Sequence, residues 1–299
     1  MVRKLYVATI GNDETLFEVY EKIKPFIYKP QAKKCEYTGR GYLRIILEDD
    51  PAGVRYLLSL CKENCLHPHI SQWVRYTKAE QEKCEFFNTF IPSPLELEGT
   101  DAADYGTQYE GGCPNCGLGG TPVGDVLVDR KFLKRRKWDI GTVLPDIYVS
   151  EKLRDIIESN GLTGVSFDRE VKDYKGREMP KYYVMTVHNV LPPMSDTTWL
   201  WQEYNGPQCG HNTLYLRSDV QYEREKLEDV NDFNLTAEYV DNFKLRELIV
   251  TAKVRHLFLQ HKVYSGFYPV AFSNGETQYS DDLLQEIMDI DRLSRPKRS

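Results

Sequence analysis

The sequence predicts an α+β protein, and three observations lead to that class. Strand-like and helix-like patterns alternate over the first ninety residues. Farther along, one β-α-β pattern occurs twice, at residues 147–171 and 248–270. Two pairs of potential metal ligands also stand far apart in the chain, near residues 113 and 209. The expected architecture is an N-terminal α/β unit followed by two repeats that a metal ion ties together.

The first ninety residues contain apolar runs of two periodicities. Alternating apolar residues predict strands, whereas apolar residues three and four apart predict helices. The predicted strands are KLYVATI (4–10), GYLRIILE (41–48), ISQWVRYT (70–77) and CEFFNTFI (84–91), and the predicted helices are TLFEVYEKIKPF (15–26) and DPAGVRYLLSLCKENC (50–65). This βαβαββ-like order is consistent with an open α/β sandwich of ferredoxin-like character.

A linker is expected after the last of these strands. Pro92 and Pro94 interrupt the strand pattern, and a glycine-rich and acidic stretch continues to Gly112. The expected organisation is an N-terminal α/β domain over residues 1–94, a linker over 95–112 and a second domain over 113–299.

The second domain contains an internal repeat. IYVSEKLRDIIESNGLTGVSFDREV (147–171) matches LIVTAKVRHLFLQHKVYSGFYPV (248–270) at an offset of 101, up to about the glycine. Each copy predicts a short strand, a helix N-cap at Ser150 or Thr251, an amphipathic helix and a second strand. The apolar helix faces consist of Leu153, Ile156 and Ile157 in one copy and of Val254, Leu257 and Phe258 in the other. We expect a pseudo-symmetric pair, with the strand KYYVMTVHNVL (181–191) between the copies.

The run GGCPNCGLGG predicts a zinc knuckle at Cys113 and Cys116. Proline fixes the turn and glycine permits a positive φ, so that two thiolates point into one tetrahedral site. The structural alternative is a bare glycine turn that holds two reduced thiols.

The other two zinc ligands are expected from the run GPQCGHN, at Cys209 and His211. Gly206 stands where a complete second knuckle would have its first cysteine, and His188 or water are the alternatives for the fourth ligand. Zinc bound in this way closes a loop of 92 residues between Cys116 and Cys209, so its binding free energy would contribute to folding. The expected cofactor is therefore a structural Zn²⁺.

Composition is that of an ordinary soluble chain. It has 299 residues, of which 41% are hydrophobic and 28% charged, and no stretch is long and apolar enough for a secretory or membrane segment. The seven scattered cysteines suit reduced thiols and a metal site better than a disulfide scaffold. A cytoplasmic location is expected from both observations.

Charge disfavours a general affinity for nucleic acid, because the net charge is −6 and phosphates must be neutralised by Lys and Arg. One basic cluster, from Arg130 to Lys137, is followed by Trp138 and leaves a nucleic-acid-binding regulator as an alternative function. Acidic residues gather at 96–110 and at 223–232. Such faces are usually just solvated, but they also suit a cationic partner.

Enzyme motifs are not found in the sequence. It has no GxSxG, HExxH or GxxxxGK[ST] pattern, and the run GLGGTPVG lacks the lysine that would reach a phosphate. A zinc ion with an open position could activate water, so a zinc hydrolase is a further alternative. No convincing general base accompanies the knuckle, and we expect a protein that is not an enzyme.

The runs CPNCG, CGH, NDFNLTAEY and KVYSGFYPV resemble a bacterial family of double-CxxCG immunity proteins. The resemblance covers roughly residues 113–270, and Gly206 departs from the family's pattern. It implies a cytoplasmic, non-catalytic antidote that binds and blocks a protein toxin delivered by a neighbouring cell. It also implies that zinc holds the scaffold together.

Overall fold

The structure is a computed structural model and describes residues 3–10, 21–22, 32–38, 42–64, 66, 68–92, 106–114, 118–131, 133, 138–143, 146–204, 211–240, 245–273, 283 and 286–287. Its strands and short helices confirm the predicted α+β class. Over these residues, no helix combines the length and the apolar character that a membrane span requires.

Strands dominate the described part of the chain. The strands are β1 (Arg3–Ile10), β2 (Ala32–Thr38), β3 (Tyr42–Glu48), β4 (Pro68–Arg75), β5 (Phe86–Phe90), β6 (Gly106–Glu110), β7 (Thr121–Val128), β8 (Ile140–Val143), β9 (Asp146–Ser150), β10 (Val165–Asp173), β11 (Tyr182–Val187), β12 (Leu200–Tyr204), β13 (Asn212–Leu216), β14 (Gln221–Tyr222), β15 (Phe233–Leu235), β16 (Leu248–Thr251), β17 (Gly266–Pro269) and β18 (Ala271–Phe272). The helices are α1 (Pro51–Glu63), α2 (Lys78–Gln81), α3 (Glu151–Ser159) and α4 (Ala252–Gln260), with a 3-10 turn at Arg224–Leu227.

The N-terminal sheet has the strand order β2-β3-β1-β4, and every neighbouring pair is antiparallel. Helix α1 begins at Pro51, where the side chain of Asp50 accepts a hydrogen bond from the backbone N–H of Gly53. Its apolar face shares one buried cluster with the sheet. The predicted strands at 4–10 and 41–48 and the predicted helix at 50–65 are thereby confirmed. The predicted helix at 15–26 lies outside the described residues, apart from 21–22.

Two sheets in the rest of the chain have the same construction. One contains the strand order β8-β9-β11-β10, and the other has the order β15-β16-β5-β17. In the first, α3 connects β9 to β10, and in the second, α4 connects β16 to β17. Each helix therefore connects the second strand of its order to the fourth, so α3 and α4 are equivalent. Each arrangement also has a parallel pair: β7 pairs with β10 within the first sheet, whereas β14 pairs with β18, directly after β17, in a separate two-stranded sheet. We call β7–β11 with α3 the first repeat, and β14–β18 with α4 and β5 the second repeat.

Strand β5 occupies in the second repeat the position that β11 occupies in the first. Tyr182 of β11 lies opposite Ser150 at the end of β9, and Phe86 of β5 lies opposite Thr251 at the end of β16. The second repeat is therefore completed by a strand that precedes the first repeat in the chain. Strand β5 falls within the range predicted for the N-terminal domain, and β6 falls within the predicted linker. The predicted domain boundaries remain predictions.

The two repeats are joined by a reciprocal pair of strand extensions. Beyond β11, the backbone N–H of Leu191 donates to the carbonyl of Leu235 in β15 over 2.8 Å. Beyond β5, the carbonyl of Pro92 accepts from the N–H of Thr142 in β8 over 3.2 Å. The chain just beyond β11 thus hydrogen-bonds to β15, and the chain just beyond β5 hydrogen-bonds to β8. This reciprocity is expected for a pseudo-symmetric pair.

One hydrophobic core fills the space between the repeats. Leu153 and Ile157 of α3 are buried in the same cluster as Val254 and Phe258 of α4, and Phe87 of β5 belongs to it. The predicted apolar faces of both helices are confirmed. Both helices therefore bury their apolar faces in one shared core, and a further buried cluster lies in each repeat.

The helix starts differ in one respect from the prediction. The side chain of Ser150 caps α3 by accepting from the backbone N–H of Leu153. The side chain of Thr251 makes no capping hydrogen bond to α4, and its hydroxyl donates instead to a carboxylate oxygen of Asp232 over 2.8 Å. Thr251 is the N-cap residue of α4, as predicted, but its oxygen accepts no hydrogen bond from the helix, whereas Ser150 both caps α3 and donates to Asp139.

The helix ends provide a first testable prediction. After α3 the chain turns through Gly161 at φ +58°, and after α4 it makes the same turn through Lys262 at φ +56°. A lysine in the left-handed region is strained by its Cβ, whereas glycine is not. We expect Lys262→Gly to raise the free energy of unfolding by about 0.5–1 kcal/mol, as measured by urea denaturation.

A control for this substitution lies inside the same helix. Gln260→Gly, two residues earlier, is expected to lower the free energy of unfolding by about 1 kcal/mol. A Lys262→Gly protein less stable than the wild type would contradict the prediction.

The N-terminal sheet is docked on the segment between β13 and β14. The backbone N–H of Gln72 in β4 donates to the carbonyl of Arg217 over 2.7 Å, and the N–H of Val74 donates to a carboxylate oxygen of Asp219 over 2.6 Å. Residues from later in the chain, Trp199, Leu283 and Ile287, join the N-terminal core. Polar and apolar contacts therefore tie the first sheet to the rest of the protein.

Asp219 makes this contact sensitive to pH. Burial raises its pKa from 3.8 to about 7, which the hydrogen bond from Val74 only partly offsets. Because the folded pKa lies above the unfolded value, the stability contributed by the protonated carboxyl is fully present below about pH 4. That contribution is lost as the pH rises through 7.

Asp219→Asn is expected to abolish this dependence, because the amide oxygen can accept from Val74 without ionising. At pH 8 we expect the variant to exceed the wild type by roughly 1–3 kcal/mol in the free energy of unfolding. At pH 4 the two proteins should be nearly equal. Denaturation curves across this range measure the difference, and a constant gap at all pH values would contradict it.

Candidate metal centre

Cys113, the first ligand of the predicted knuckle, lies in the turn between β6 and β7. The hairpin closes with Glu110 opposite Thr121, and the backbone N–H of Cys113 donates to the carbonyl of Leu118 over 2.8 Å. Positive φ angles at Gly111, Gly112 and Gly119 turn the chain on both sides of the cysteine. Cys113 itself is half-buried. The glycines of the motif therefore form a tight, exposed turn, as a knuckle requires.

Of the second predicted ligand pair, His211 is described, and it lies between the strands β12 and β13 of another hairpin. Tyr204 is the last residue of β12 and pairs with Asn212, the first residue of β13. His211 directly precedes Asn212 and is half-buried. Both candidate ligand runs therefore connect the two strands of an antiparallel hairpin.

The two hairpins also correspond in sequence. CPNCG at 113–117 and GPQCG at 206–210 share Pro, Cys and Gly at an offset of 93, so that Cys116 corresponds to Cys209. The first hairpin leads into the first repeat through β7, and the second hairpin precedes β14 of the second repeat. The duplication therefore includes the metal-ligand runs as well as the β-α-β units.

The structure describes two of the four predicted ligands. Cys113 and His211 lie within the described residues, whereas Cys116 and Cys209 lie outside them. The described part of the chain contains no cluster of three or more His, Cys, Asp or Glu side chains suited to a metal ion. The zinc site at these four residues remains a prediction.

His188, the alternative fourth ligand, lies just beyond β11 in a polar cluster on the first repeat. Its Nε2 is 2.8 Å from Oγ of Ser166, and that hydroxyl donates to Asp168. The Ser166 hydroxyl has one proton, which it donates to the Asp168 carboxylate. The imidazole of His188 must therefore be the donor in its contact with Ser166. His188 is thus not placed to accept the Ser166 proton, and in a hydrolytic triad the histidine lies between serine and aspartate.

A pair of equivalent carboxylates was missed from the sequence. Asp139 accepts from the hydroxyl of Ser150 over 2.8 Å and lies 2.9 Å from Nζ of Lys152. Asp232 accepts from Thr251 over 2.8 Å and lies 3.5 Å from Nζ of Lys253. The two aspartates are 93 residues apart, the offset that also relates Cys116 to Cys209, and this shared offset could have revealed them.

The basic cluster at 130–137 is partly structural. The guanidinium of Arg130 donates to the carbonyl of Glu178 over 2.9 Å, and its backbone N–H donates to Asp173. Hydrogen bonds from the Arg177 guanidinium hold the pKa of Asp173 well below its usual range. Leu133 is buried, whereas residues 134–137 lie outside the described residues. Arg130 therefore fixes the turn between β10 and β11.

A cleft of about 480 Å³ opens beside the N-terminus of α4. It is lined by Glu82, Cys84, Asn160, Ala252, Lys253, Arg255, His256 and Leu257. Arg255 is buried there, with its guanidinium 3.1 Å from Glu82 and 4.9 Å from the ring centre of Phe87. Burial raises the pKa of the Cys84 thiol, which disfavours a reactive thiolate. These pairings give the cleft a structural character.

Comparison with protein-family models gave no match to this chain. No curated protein matches it either.

Proposed function

We propose that one structural zinc ion is bound by Cys113 and Cys116 from the β6–β7 hairpin and by Cys209 and His211 from the β12–β13 hairpin. The observation that carries this proposal is that each ligand run connects the two strands of an antiparallel hairpin, with Cys113 following β6 and His211 preceding β13. A zinc site built from two such turns needs two ligands from each. Where Gly206 lacks a thiol, His211 provides the fourth donor.

The zinc would clip together two repeats that share one core. Its closure of the 92 residues between Cys116 and Cys209 adds a cross-link to the reciprocal strand extensions. For the N-terminal half, the antiparallel order β2-β3-β1-β4 supports a ferredoxin-like α/β sandwich. The metal is thus assigned a role in architecture rather than in chemistry.

On this scaffold, we propose a cytoplasmic, non-catalytic immunity protein that neutralises a bacterial toxin by covering its active surface. The resemblance of residues 113–270 to double-CxxCG immunity proteins supports this function. Charge supports it too, because residues 84–129 contain eight Asp and Glu and no Lys or Arg. Such an acidic stretch attracts a basic toxin over a range of about 10 Å at moderate salt.

The alternative of a nucleic-acid-binding regulator has less support. Arg130 is the first member of the basic cluster, and its guanidinium donates a hydrogen bond to the carbonyl of Glu178 within the fold. Salt-dependent binding to DNA or RNA that is lost on charge reversal at Arg135 and Arg136 would favour that alternative.

Co-expression with each candidate toxin encoded next to this gene tests the immunity function. We expect growth arrest by the toxin to be relieved and the two proteins to co-purify as a stable complex. A matched variant with Cys113→Ser and Cys116→Ser should lose protection together with its zinc. Growth arrest that persists unchanged when the wild-type protein is folded and zinc-loaded would contradict the proposal.

A further inference from the structure

The chain contains a duplicated sequence unit that differs from the repeat of the fold. The first unit runs from β5 to β10, over residues 86–173, and the second runs from β11 to β18, over residues 182–272. Each begins with one strand, passes through the hairpin of a predicted ligand run and continues through two strands, a helix and a further strand. The short strands β14 and β18 correspond to the ends of β7 and β10, which also form a parallel pair. The order of elements therefore repeats from β5 onward.

Strand pairing follows these units except at their first strands. Among the described residues from 86 to 272, every strand pair without β5 or β11 joins two strands of the same unit. Strand β5 of the first unit lies between β16 and β17 of the second, and β11 of the second unit lies between β9 and β10 of the first. Each unit therefore provides a central strand for the sheet of the other unit.

The residue before each exchanged strand also contacts the other unit. The carbonyl of Glu85, which precedes β5, accepts from the backbone N–H of Ala252 at the start of α4 over 2.8 Å. The carbonyl of Lys181, which precedes β11, accepts from the N–H of Glu151 at the start of α3 over 3.2 Å. The exchange thus satisfies, in both helices, an N–H group that has no partner within the helix.

Beyond each exchanged strand, the chain returns to its own unit. Pro92 follows β5, and its carbonyl accepts from Thr142 of the first unit. Leu191 follows β11, and its N–H donates to Leu235 of the second unit. Each crossing segment is thus short, as in proteins that exchange one element between two copies.

A unit without its partner would lack the middle of its sheet. Removal of β11 leaves unpaired edges on β9 and β10, and removal of β5 leaves them on β16 and β17. Phe87 of β5 and Met185 of β11 are both buried in the core that α3 and α4 share. Loss of an exchanged strand therefore removes ladder hydrogen bonds and buried apolar surface together.

We infer that this chain is a fused dimer of one strand-exchanging unit, and that each unit folds only with a second copy of the unit as its partner. The binding site for the partner is the slot between the strands that flank the exchanged strand. The slot beside Thr251 takes Phe86, and the slot beside Ser150 takes Tyr182, so both accept an extended strand that begins with an aromatic residue. The segment that links the units, residues 174–181, is mostly exposed and is not needed to hold them together.

Cleavage of the full-length protein between the units tests this inference. A protease site inserted between Pro180 and Lys181, which are both exposed, places the cut in the linking segment, and the uncut variant controls for the insertion. We expect the cleaved protein to remain one particle in size-exclusion chromatography. In urea the two fragments should separate only where circular dichroism is lost, at a midpoint that rises with protein concentration, because an exchanged pair cannot part without unfolding.

Hydrogen exchange in the intact chain provides a second test that needs no cut. Met185→Ala changes the second unit, yet it should speed the exchange of β9 and β10 amides in the first unit at least about tenfold, with less effect on β16 and β17. Phe87→Ala should give the opposite pattern. Val190→Ser, at a side chain 46% exposed just beyond β11, should change neither.

Two results would overturn the inference. One is separation of the cleaved fragments with their circular dichroism intact, which would mean that each unit completes its own sheet. The other is a Met185→Ala protein in which exchange increases at β16 and β17 but not at β9 and β10.

Discussion

Phe87→Ala is expected to lower the free energy of unfolding by about 3–5 kcal/mol. Phe87 is fully buried in the core that both repeats share, and its ring contacts that of Phe267 edge-on with the centres 6.2 Å apart. The guanidinium of Arg255 also lies 4.9 Å from its ring centre, so the substitution removes a cation–π contact as well as core volume. Urea denaturation followed by circular dichroism measures the loss.

The same strand provides the control for this substitution. Phe90, three residues farther along β5, is 56% exposed, and Phe90→Ala should change the free energy of unfolding by less than about 1 kcal/mol. Equal losses for the two variants would contradict the central position of β5 in the second repeat.

If zinc is bound as proposed, Cys116→Ser is expected to release the ion and to destabilise both repeats. Structural zinc contributes an apparent binding free energy of about 10–16 kcal/mol in small zinc-binding peptides, as much as the whole stability of a typical domain. We therefore expect one zinc per chain in the wild type, less in the variant, and a melting temperature lower by at least about 10 °C. Elemental analysis and thermal unfolding provide the two readouts, and a chelator should reproduce the shift.

Cys84→Ser serves as the matched thiol substitution. Sγ of Cys84 donates to the carbonyl of Glu80 over 3.3 Å, and a serine hydroxyl can make the same hydrogen bond. This variant should keep its zinc and its melting temperature. If Cys116→Ser also kept its zinc and its melting temperature, the proposed zinc site would be wrong.

Elements with strong local patterns could be predicted from the sequence. The periodicity at 50–65 predicted α1, and the offset of 101 predicted two equivalent β-α-β units. Glycine placement likewise predicted the tight turn around Cys113. In each case the information lies within about twenty neighbouring residues, where apolar spacing and turn chemistry act directly.

The position of β5 could not be predicted in this way. The run CEFFNTFI indicates a strand, but it does not indicate which strands it pairs with. Its partners lie some 160 residues farther along the chain. The contact of the Thr251 hydroxyl with Asp232, nineteen residues earlier, could not be predicted from the helix pattern either. Both are tertiary contacts, which no local pattern encodes.

Completion of the second repeat by β5 has a consequence for synthesis of the protein on the ribosome. Gly266 pairs with Phe90 but is translated 176 residues later, which takes roughly 10–35 s at 5–20 residues per second. The run FFNTF is translated before the whole of the first repeat, and it has neither partner strand beside it until β16 and β17 follow. Slow translation would therefore prolong the period in which a nascent chain exposes an apolar strand, and chaperone demand should rise with it.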